Sequence, residues 1–350
     1  MLIKKSLVGI KKRMLSAGLA VMMVSGAWAL AAEKELVPMG CTVGIQMNME
    51  GVLVVGLSDI QTADGEQSPS RHAGIVPGDV IKRLDDTEIK TADDFVAFIA
   101  GLTSDEVTIS VLRNDKDYEF KVKPAQSKEG TYQLGLWLRD SVTGIGTVTF
   151  YDPDSGMYGA LGHSISDAET GILVPLGDGE ILDSTVVEVK KGECGNPGEL
   201  CGYFDSKHSR GDIILNTDCG IFGVVYDGDQ MADRLADALP VASEDEIQLG
   251  KASILANVDG KEVCEYEIEV GRVYKNEDSG RCLMLTVTDS RLLEQTGGIV
   301  QGMSGSPIIQ NGKLIGAVTH VLVSDPTKGY GISIEKMLEL TENPENRQAA

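Results

Sequence analysis

Near its carboxyl end, the sequence places one serine between two glycines, in the run Gly302-Met303-Ser304-Gly305-Ser306-Pro307. Glycines let the backbone turn sharply and let a carbonyl group come close. The amides of Gly302 and Ser304 can then point at one spot and hold the oxyanion of an acyl-transfer reaction. The run alone fits an ordinary turn equally well, so the nucleophile hypothesis requires a base elsewhere.

The general base that such a serine needs must come from one of four histidines. His163 follows Gly162, which would let the backbone turn and expose an imidazole at the end of a strand. It is therefore the preferred base, and His320, at the end of the strand pair after Ser304, is the reserve. A hydrogen-bonded turn histidine is the alternative interpretation of His163.

The acid that would orient the base is less determined. A carboxylate beside the imidazole would fix its tautomer and stabilise the imidazolium. Asp289 ends a predicted strand before Ser304, Asp167 follows His163 closely, and Asp152 and Asp183 are further candidates. The residues alone do not choose among them, because most aspartates occupy turns.

The composition of the chain argues against two classes of binding partner and favours one class of fold. The chain has 350 residues and a net charge of −22, from 31 Lys and Arg against 53 Asp and Glu. This argues against nucleic acid as a partner, because phosphates bind basic surfaces, and against anionic lipid. The length suffices for two domains, and 41 glycines with 5% aromatic residues favour a turn-rich β protein.

The amino-terminal segment has a different character. Four lysines and one arginine precede an apolar run from Met14 to Ala32, which ends in small residues spaced as A-x-A. This pattern is typical of a secretory signal or a single membrane anchor, so residues 1–32 are predicted to direct export. Residues 33–40 read as a polar connector.

Six cysteines in an exported protein permit disulfides. Cys194 and Cys201 bracket a Gly/Pro loop and form the best candidate pair, with six buried thiols as the alternative. The sequence has no C-x-x-C pair and its histidines lie far apart, so we expect no metal and no other cofactor.

Residues 41–124 are predicted to form a small α+β domain. Val43 to Met47 and Val52 to Leu57 read as two strands separated at Gly51. A capping-box pattern at Thr91-Ala92-Asp93-Asp94 predicts the start of an amphipathic helix.

Residues 130–350 read as a second, β-rich domain. Residues 134–138 and 144–151 are predicted as separate strands, residues 231–238 as a short helix and residues 334–340 as a carboxyl-terminal helix. Asn311-Gly312 is a strong hairpin signal. Many short strands suggest one or two barrels, so the fold class is mainly β.

The first of these domains resembles a PDZ domain. The resemblance rests on the A-G-I-x-P-G-D-V-I run at residues 73–81 and on the stretch Gly51-Val52-Leu53-Val54, where PDZ domains place their carboxylate-binding loop. It implies that residues 51–54 offer backbone amides to a peptide C-terminus and an open sheet edge to a peptide strand. A packing module with an unused groove is the alternative.

The whole chain resembles the SpoIVB peptidase family of endospore-forming bacteria. Three runs carry this resemblance: residues 162–167, residues 296–307, and residues 316–331. The resemblance implies a chymotrypsin-like barrel domain and a triad of His163, Asp289 and Ser304, with Asp167 still open as the acid. Met303 stands where digestive relatives carry the aspartate that receives a freed N-terminus, so activation must differ.

The resemblance also implies a biological role. The enzyme would be exported across the forespore inner membrane into the intermembrane space and would cleave its own amino-terminal region. It would then cut a membrane-bound regulator and so release an intramembrane protease that activates a late sigma factor. The PDZ domain would present the substrate or restrain the enzyme.

Two rival functions stay open at this point. One is a non-catalytic PDZ adaptor with a decayed peptidase fold, and the joint presence of His163, Asp289 and Ser304 counts against it. The other is a redox-sensing or metal-binding protein built on the six cysteines.

Overall fold

The computed structural model describes residues 34–226, 230–231, 237–275 and 280–342. The predicted signal or anchor at residues 1–32 and most of the predicted helix at residues 231–238 lie outside these ranges. Among the described helices, none combines the length and the apolar character that a membrane crossing requires.

Strands dominate the architecture. Those up to residue 133 are β1 Glu35–Pro38, β2 Thr42–Leu57, β3 Ile60–Thr62, β4 Gly65–Gln67, β5 Val80–Leu84, β6 Thr87–Glu88, β7 Val107–Arg113, β8 Lys116–Val122, β9 Ala125–Gln126 and β10 Tyr132–Gln133. The later ones are β11 Leu136–Tyr151, β12 Met157–Ala160, β13 Leu176–Lys190, β14 Glu199–Thr217, β15 Gly220–Val225, β16 Leu239–Pro240, β17 Gly250–Asp259, β18 Glu262–Val273, β19 Leu283–Val287, β20 Pro307–Gln310, β21 Lys313–Val321 and β22 Lys328–Ser333.

Helices are few and short. The described α-helices are α1 Pro69–Ala73, α2 Ala92–Ala100, α3 Ser290–Thr296 and α4 Ile334–Glu342. The capping box predicted for α2 is confirmed, because Thr91 Oγ1 accepts the Asp94 amide at 3.1 Å and the Asp94 carboxylate accepts the Thr91 amide at 2.9 Å. The carboxyl-terminal helix predicted at residues 334–340 is confirmed as α4.

The PDZ-like part is built on the second half of β2, with β5, β7 and β8 beside it in order. Its core packs the apolar face of α2, through Phe95 and Ile99, against buried residues of these strands such as Ile81 and Ile109. Burying this alternating apolar face is what holds the small sheet and the helix together.

Two long strands, β2 and β11, extend from the PDZ-like part into the barrel that follows it. The sequence predicts each as two short strands, and the structure shows that prediction to be wrong, because both are continuous. The register between them shifts between Arg139 and Ser141, and Gly51 opposite has a φ of +97°. A bulge of this kind bends a strand without ending it, so β2 and β11 pass from one part into the other.

Two closed barrels form the rest of the molecule. In the first, β2, β11, β12, β15, β14 and β13 pair in a ring, closed by the pairing of β11 with β2. In the second, β17, β18, β19, β22, β21 and β20 form a closed barrel. The predicted hairpin at Asn311-Gly312 is confirmed between β20 and β21, and both residues have positive φ, as that turn requires.

The six cysteines all lie in the described residues, and no disulfide joins any of them. Cys194 is exposed, and Cys201 lies at the start of β14. The predicted Cys194–Cys201 bridge is therefore absent from the structure.

The turn that leads from β10 into β11 has a strict glycine requirement. Gly135 has a φ of +68°, and a Cβ there would lie 2.3 Å from the Ser58 carbonyl oxygen, which is a backbone atom. Gly130 has a φ of +87°, but open space surrounds the position of its Cβ.

We predict that Gly135→Ala destabilises the protein more than the matched control Gly130→Ala. The control should cost about 1–2 kcal/mol, which is the strain of a left-handed residue alone. Gly135→Ala adds a collision with the backbone and should exceed the control by about 1 kcal/mol or more. Urea unfolding measures both values, and equal losses would contradict this account of the turn.

Candidate active site

Ser304 lies in a tight turn that only glycine permits. Gly302 and Gly305 have φ values of +97° and +98°. A Cβ on Gly305 would lie 2.0 Å from the Thr147 carbonyl oxygen, so the turn packs directly on the strand β11. The Gly305 amide donates to the Val318 carbonyl at 2.7 Å, which fixes the turn to the second barrel as well.

The two amides expected to form an oxyanion hole are available. Within the described residues, neither the Gly302 amide nor the Ser304 amide donates to a protein acceptor. Thr147 fixes the peptide units around them, because its hydroxyl donates to the Gly302 carbonyl at 2.7 Å and its amide donates to the Ser304 carbonyl at 3.0 Å. Fixed donors without an internal acceptor are what oxyanion stabilisation requires.

The neighbours of Ser304 in the motif are structural. Met303 is fully buried in the core of the second barrel, where an aspartate would leave a charge without a partner. Ser306 is also fully buried, and its hydroxyl has no hydrogen-bond partner in the described structure. Neither side chain can meet a substrate.

His163 is held at the end of a strained turn after β12. Leu161 and Gly162 both have positive φ, and a Cβ on Gly162 would lie 2.9 Å from the Thr319 methyl group. The His163 Nδ1 lies 2.8 Å from the Ser164 carbonyl oxygen, which can only accept. This contact places the proton on Nδ1 and leaves Nε2 with a lone pair.

His320, the reserve base, also reaches the site. Its ring lies 5.1 Å from the His163 ring, centroid to centroid. Burial, and then the nearby charge of a protonated His163, lower the pKa of His320 to about 4, so it is neutral at ordinary pH. Its Nδ1 is buried without a hydrogen-bond partner among the described residues.

Ser304, His163 and His320 line one cavity of about 500 Å³ between the two barrels, together with Gly302 and Thr319. The Ser304 hydroxyl donates to the Thr319 carbonyl at 2.7 Å in this conformation. The site therefore brings together a serine, two neutral imidazoles and two free amides, with the serine proton held by a carbonyl.

Asp289 does not join them. It ends β19 as the amino-terminal cap of α3, where its side chain accepts the Arg291 amide at 2.9 Å and pairs with the Arg291 guanidinium at 2.7 Å. Hydrogen bonds from Arg291 lower the pKa of Asp289 to about 2. The structure contradicts the prediction that Asp289 orients His163, because both carboxylate oxygens are engaged at this helix end and His163 Nδ1 faces Ser164.

Asp167, the alternative acid, is occupied elsewhere too. Its buried carboxylate accepts the Thr170 amide at 2.8 Å and pairs with Arg139. Burial acts to raise the pKa of Asp167, but the hydrogen bonds from Thr170 and the charge of Arg139 outweigh it, and the pKa is lowered. In this site the Ser164 carbonyl, which sequence reasoning missed, takes the orienting place beside His163.

Comparison with known families decides the identity of the chain. The family described as SpoIVB peptidase S55 matches residues 130–338, which is more than half of the chain. The chain belongs to this family. A PDZ domain family matches residues 42–123, so the protein is a PDZ-containing serine peptidase.

Solved structures with similar parts are distant from this S55 peptidase. A PDZ domain of an SdrC-like protein from Listeria monocytogenes is 24% identical, with 25% of this chain and 87% of that chain covered and a TM-score of 0.21. The active form of the Rv3671c protease from M. tuberculosis is 13% identical over 57% of this chain and 72% of that chain, with a TM-score of 0.34. The HtrA-type protease AlgW with a decapeptide is 10% identical over 58% of this chain and 53% of that chain, with a TM-score of 0.31. Comparison with curated proteins found no match.

The predicted peptide site at residues 51–54 of the S55 peptidase is closed. Val52, Leu53 and Val54 are fully buried inside β2. β5 pairs with this stretch on one side and residues 138–139 of β11 pair with it on the other. The prediction of an open edge here is wrong, because the strand that covers it comes from about 80 residues later in the chain.

An open edge exists instead on the first residues of β11. In the described structure, Leu136–Arg139 pairs only with β2, and the opposite edge faces α2. Between them lies a cavity of about 600 Å³, lined by Phe95, Val96 and Ile99 of α2 and by residues 130–136. The Leu134 and Gly135 amides at its end donate to no protein acceptor among the described residues. We name this cavity, with the adjoining edge of β11, the α2–β11 groove.

We predict that Asp289→Asn leaves the titration of His163 unchanged. Asparagine still caps α3, so the fold is preserved, whereas loss of a carboxylate partner would lower the pKa of the imidazole by about one unit or more. With labelled histidine, NMR can follow each of the four imidazoles. A fall of that size in the pKa of His163 would restore Asp289 as the acid.

We also predict an acid-shifted pH profile for covalent labelling of Ser304 by a fluorophosphonate. Burial lowers the pKa of His163 below 6.5, and a hydrogen bond to the Ser164 carbonyl only partly opposes it. A neutral base is needed, so the rate should be at half its maximum below pH 6.5 and should fall further as the pH falls. A half-maximum at pH 7 or above, as for an imidazole paired with a carboxylate, would contradict this site.

Proposed function

We propose that this S55 peptidase is a self-cleaving serine endopeptidase in which Ser304 is the nucleophile and His163 the general base. The observation that carries the proposal is the single cavity in which Ser304, His163 and the two acceptor-free amides of Gly302 and Ser304 meet. The same cavity opens to solvent, so a substrate can reach Ser304.

The reaction begins when the Ser304 hydroxyl turns from the Thr319 carbonyl toward His163. His163 Nε2 takes the hydroxyl proton as the serine oxygen attacks the scissile carbonyl carbon. The negative charge that develops on the carbonyl oxygen is held by the Gly302 and Ser304 amides, each worth about 3 kcal/mol where such donors have been removed in other enzymes. The His163 imidazolium then protonates the leaving amine, and water hydrolyses the acyl-enzyme by the reverse sequence of proton transfers.

The positive charge on His163 is stabilised by a carbonyl rather than a carboxylate in this arrangement. The Ser164 oxygen accepts the Nδ1 proton and fixes the tautomer, but it carries only a partial charge. His320, neutral beside it, adds no repulsion at ordinary pH. The result is a base whose pKa lies below its usual value.

We place the enzyme, by its family, in the space outside the forespore inner membrane, to which the amino-terminal segment would direct it. Its substrates would be its own amino-terminal region and a membrane-bound regulator of an intramembrane protease, whose cleavage leads to activation of a late sigma factor in sporulation. The PDZ part would bind peptide C-termini. The α2–β11 groove supports this last point, because it offers an unpaired strand edge and an apolar cavity.

We predict that Ser304→Ala abolishes both self-cleavage and fluorophosphonate labelling, whereas Ser306→Ala retains both. Ser306 is the matched control, because it lies in the same turn, is fully buried, and has an unpartnered hydroxyl whose removal leaves the fold intact. Expression of the three proteins with amino-terminal sequencing of every fragment gives the answer. Fragments with the same new termini from Ser304→Ala would refute the proposal.

A further inference from the structure

The strand β11 connects the two functional parts of the molecule. Its first residues, Leu136–Arg139, form the edge of the α2–β11 groove. Farther along, Thr147 holds the carbonyls of Gly302 and Ser304. The α2–β11 groove and the turn that carries Ser304 therefore both contact the same continuous strand, β11.

Between these two ends, adjacent residues of β11 reach in two directions. The Asp140 carboxylate accepts the amide of Ala92, the first residue of α2, at 2.9 Å, and so ties β11 to the wall of the groove. The Arg139 guanidinium pairs with the Asp167 carboxylate and lies 2.7 Å from Glu169 Oε2. Asp140 thus contacts the wall of the groove, and Arg139 contacts the loop that carries His163, which we call the His163 loop.

Asp167 organises that loop. Its amide donates to the Ile172 carbonyl at 2.8 Å, and its carboxylate accepts the amide and the hydroxyl of Thr170, each at 2.8 Å. Its side chain is fully buried, so Arg139 is the cation that keeps its charge paired. Leaving such a carboxylate unpaired is costly, so the ion pair between the two side chains is maintained.

We propose that Arg139 is a positioning residue that transmits occupancy of the α2–β11 groove to the His163 loop, so that a bound peptide tunes the peptidase. This inference rests on the proposed function of Ser304 and His163. The ligand is an extended peptide that adds a strand to β11, with an apolar last side chain in the cavity beside Val96 and its carboxylate toward the Leu134 and Gly135 amides. Such a ligand changes the spacing of α2 and β11, which Asp140 and Arg139 pass to Asp167.

A second ion pair provides a matched control. Arg113 pairs with Asp79 at 2.7 Å, and the exposures of the two side chains, 26% and 0%, resemble the 31% and 0% of Arg139 and Asp167. The Arg113 pair lies within the PDZ-like part, and among the described residues neither of its side chains makes a hydrogen bond or an ion pair with the His163 loop. Substitution of Arg113 therefore removes a similar ion pair but leaves the proposed connection between the α2–β11 groove and the His163 loop in place.

The test measures the rate and pH profile of Ser304 labelling by a fluorophosphonate in the full chain. Arg139→Met should lower the rate by about threefold to thirtyfold, the range that such couplings span. It should also move the half-maximum of the pH profile, and Arg139→Lys should restore most of both. Arg113→Met should change neither, although urea unfolding should show a comparable loss of stability in both Met variants.

A double-mutant cycle tests the link to the groove. Val96→Trp fills the cavity in place of a ligand side chain, and should alter the labelling rate by at least about threefold when Arg139 is present. In Arg139→Met the same change should have no effect, whereas in Arg113→Met it should act as in the parent.

The outcomes separate the two proposals. A wild-type chain that is not labelled at Ser304 overturns the proposed function and this inference with it. A labelled wild type in which Arg139→Met matches Arg113→Met, or in which Val96→Trp and Arg139→Met act additively, overturns the inference alone.

Discussion

The hydrogen bonds of Thr147 are the constraint on which the rest of the site depends. They hold the carbonyls of Gly302 and Ser304, and so fix the turn that brings Ser304 and the two acceptor-free amides to the wall of the cavity. They also join the first barrel, which supplies His163, to the second, which supplies Ser304. Without this contact the nucleophile, its base and the oxyanion donors would belong to two separate barrels. The close approach needs Gly305, since any side chain there would collide with the Thr147 carbonyl.

The resting state of the nucleophile follows from the same geometry. The pairing of β21 with β22 is irregular between Val318 and His320. The Thr319 carbonyl between them accepts the Ser304 hydroxyl, so the proton is held by a weak base until a substrate displaces it. The serine is therefore inactive in this conformation. The missing carboxylate beside His163 works in the same direction, because it keeps the imidazole a poor proton acceptor.

Local chemistry was predictable from the sequence, and long-range pairing was not. The glycines around Ser304, the capping box at Thr91 and the Asn311-Gly312 turn follow from backbone rules that act over a few residues. The role of Asp289 does not follow from its position, because an aspartate between a strand and a helix can equally cap the helix, as Asp289 does through the amide of Arg291. The closed edge at residues 51–54 does not follow from the sequence either, because β11, which pairs with them, begins in the segment predicted as another domain. No pattern near Arg139 or Thr147 signals their partners, since these contacts exist only once the first barrel closes.

In the proposed reaction the Gly302 and Ser304 amides converge on the oxyanion that forms beside Ser304 Oγ, and His163 Nε2 faces Ser304 Oγ itself. A crystal structure of the chain after reaction with a fluorophosphonate would show whether the site has this arrangement. We predict a phosphonyl group on Ser304 Oγ, with its oxygen about 2.7–3.1 Å from both amides and with His163 Nε2 facing the adduct. An adduct on another residue, or a phosphonyl oxygen turned away from the two amides, would contradict it.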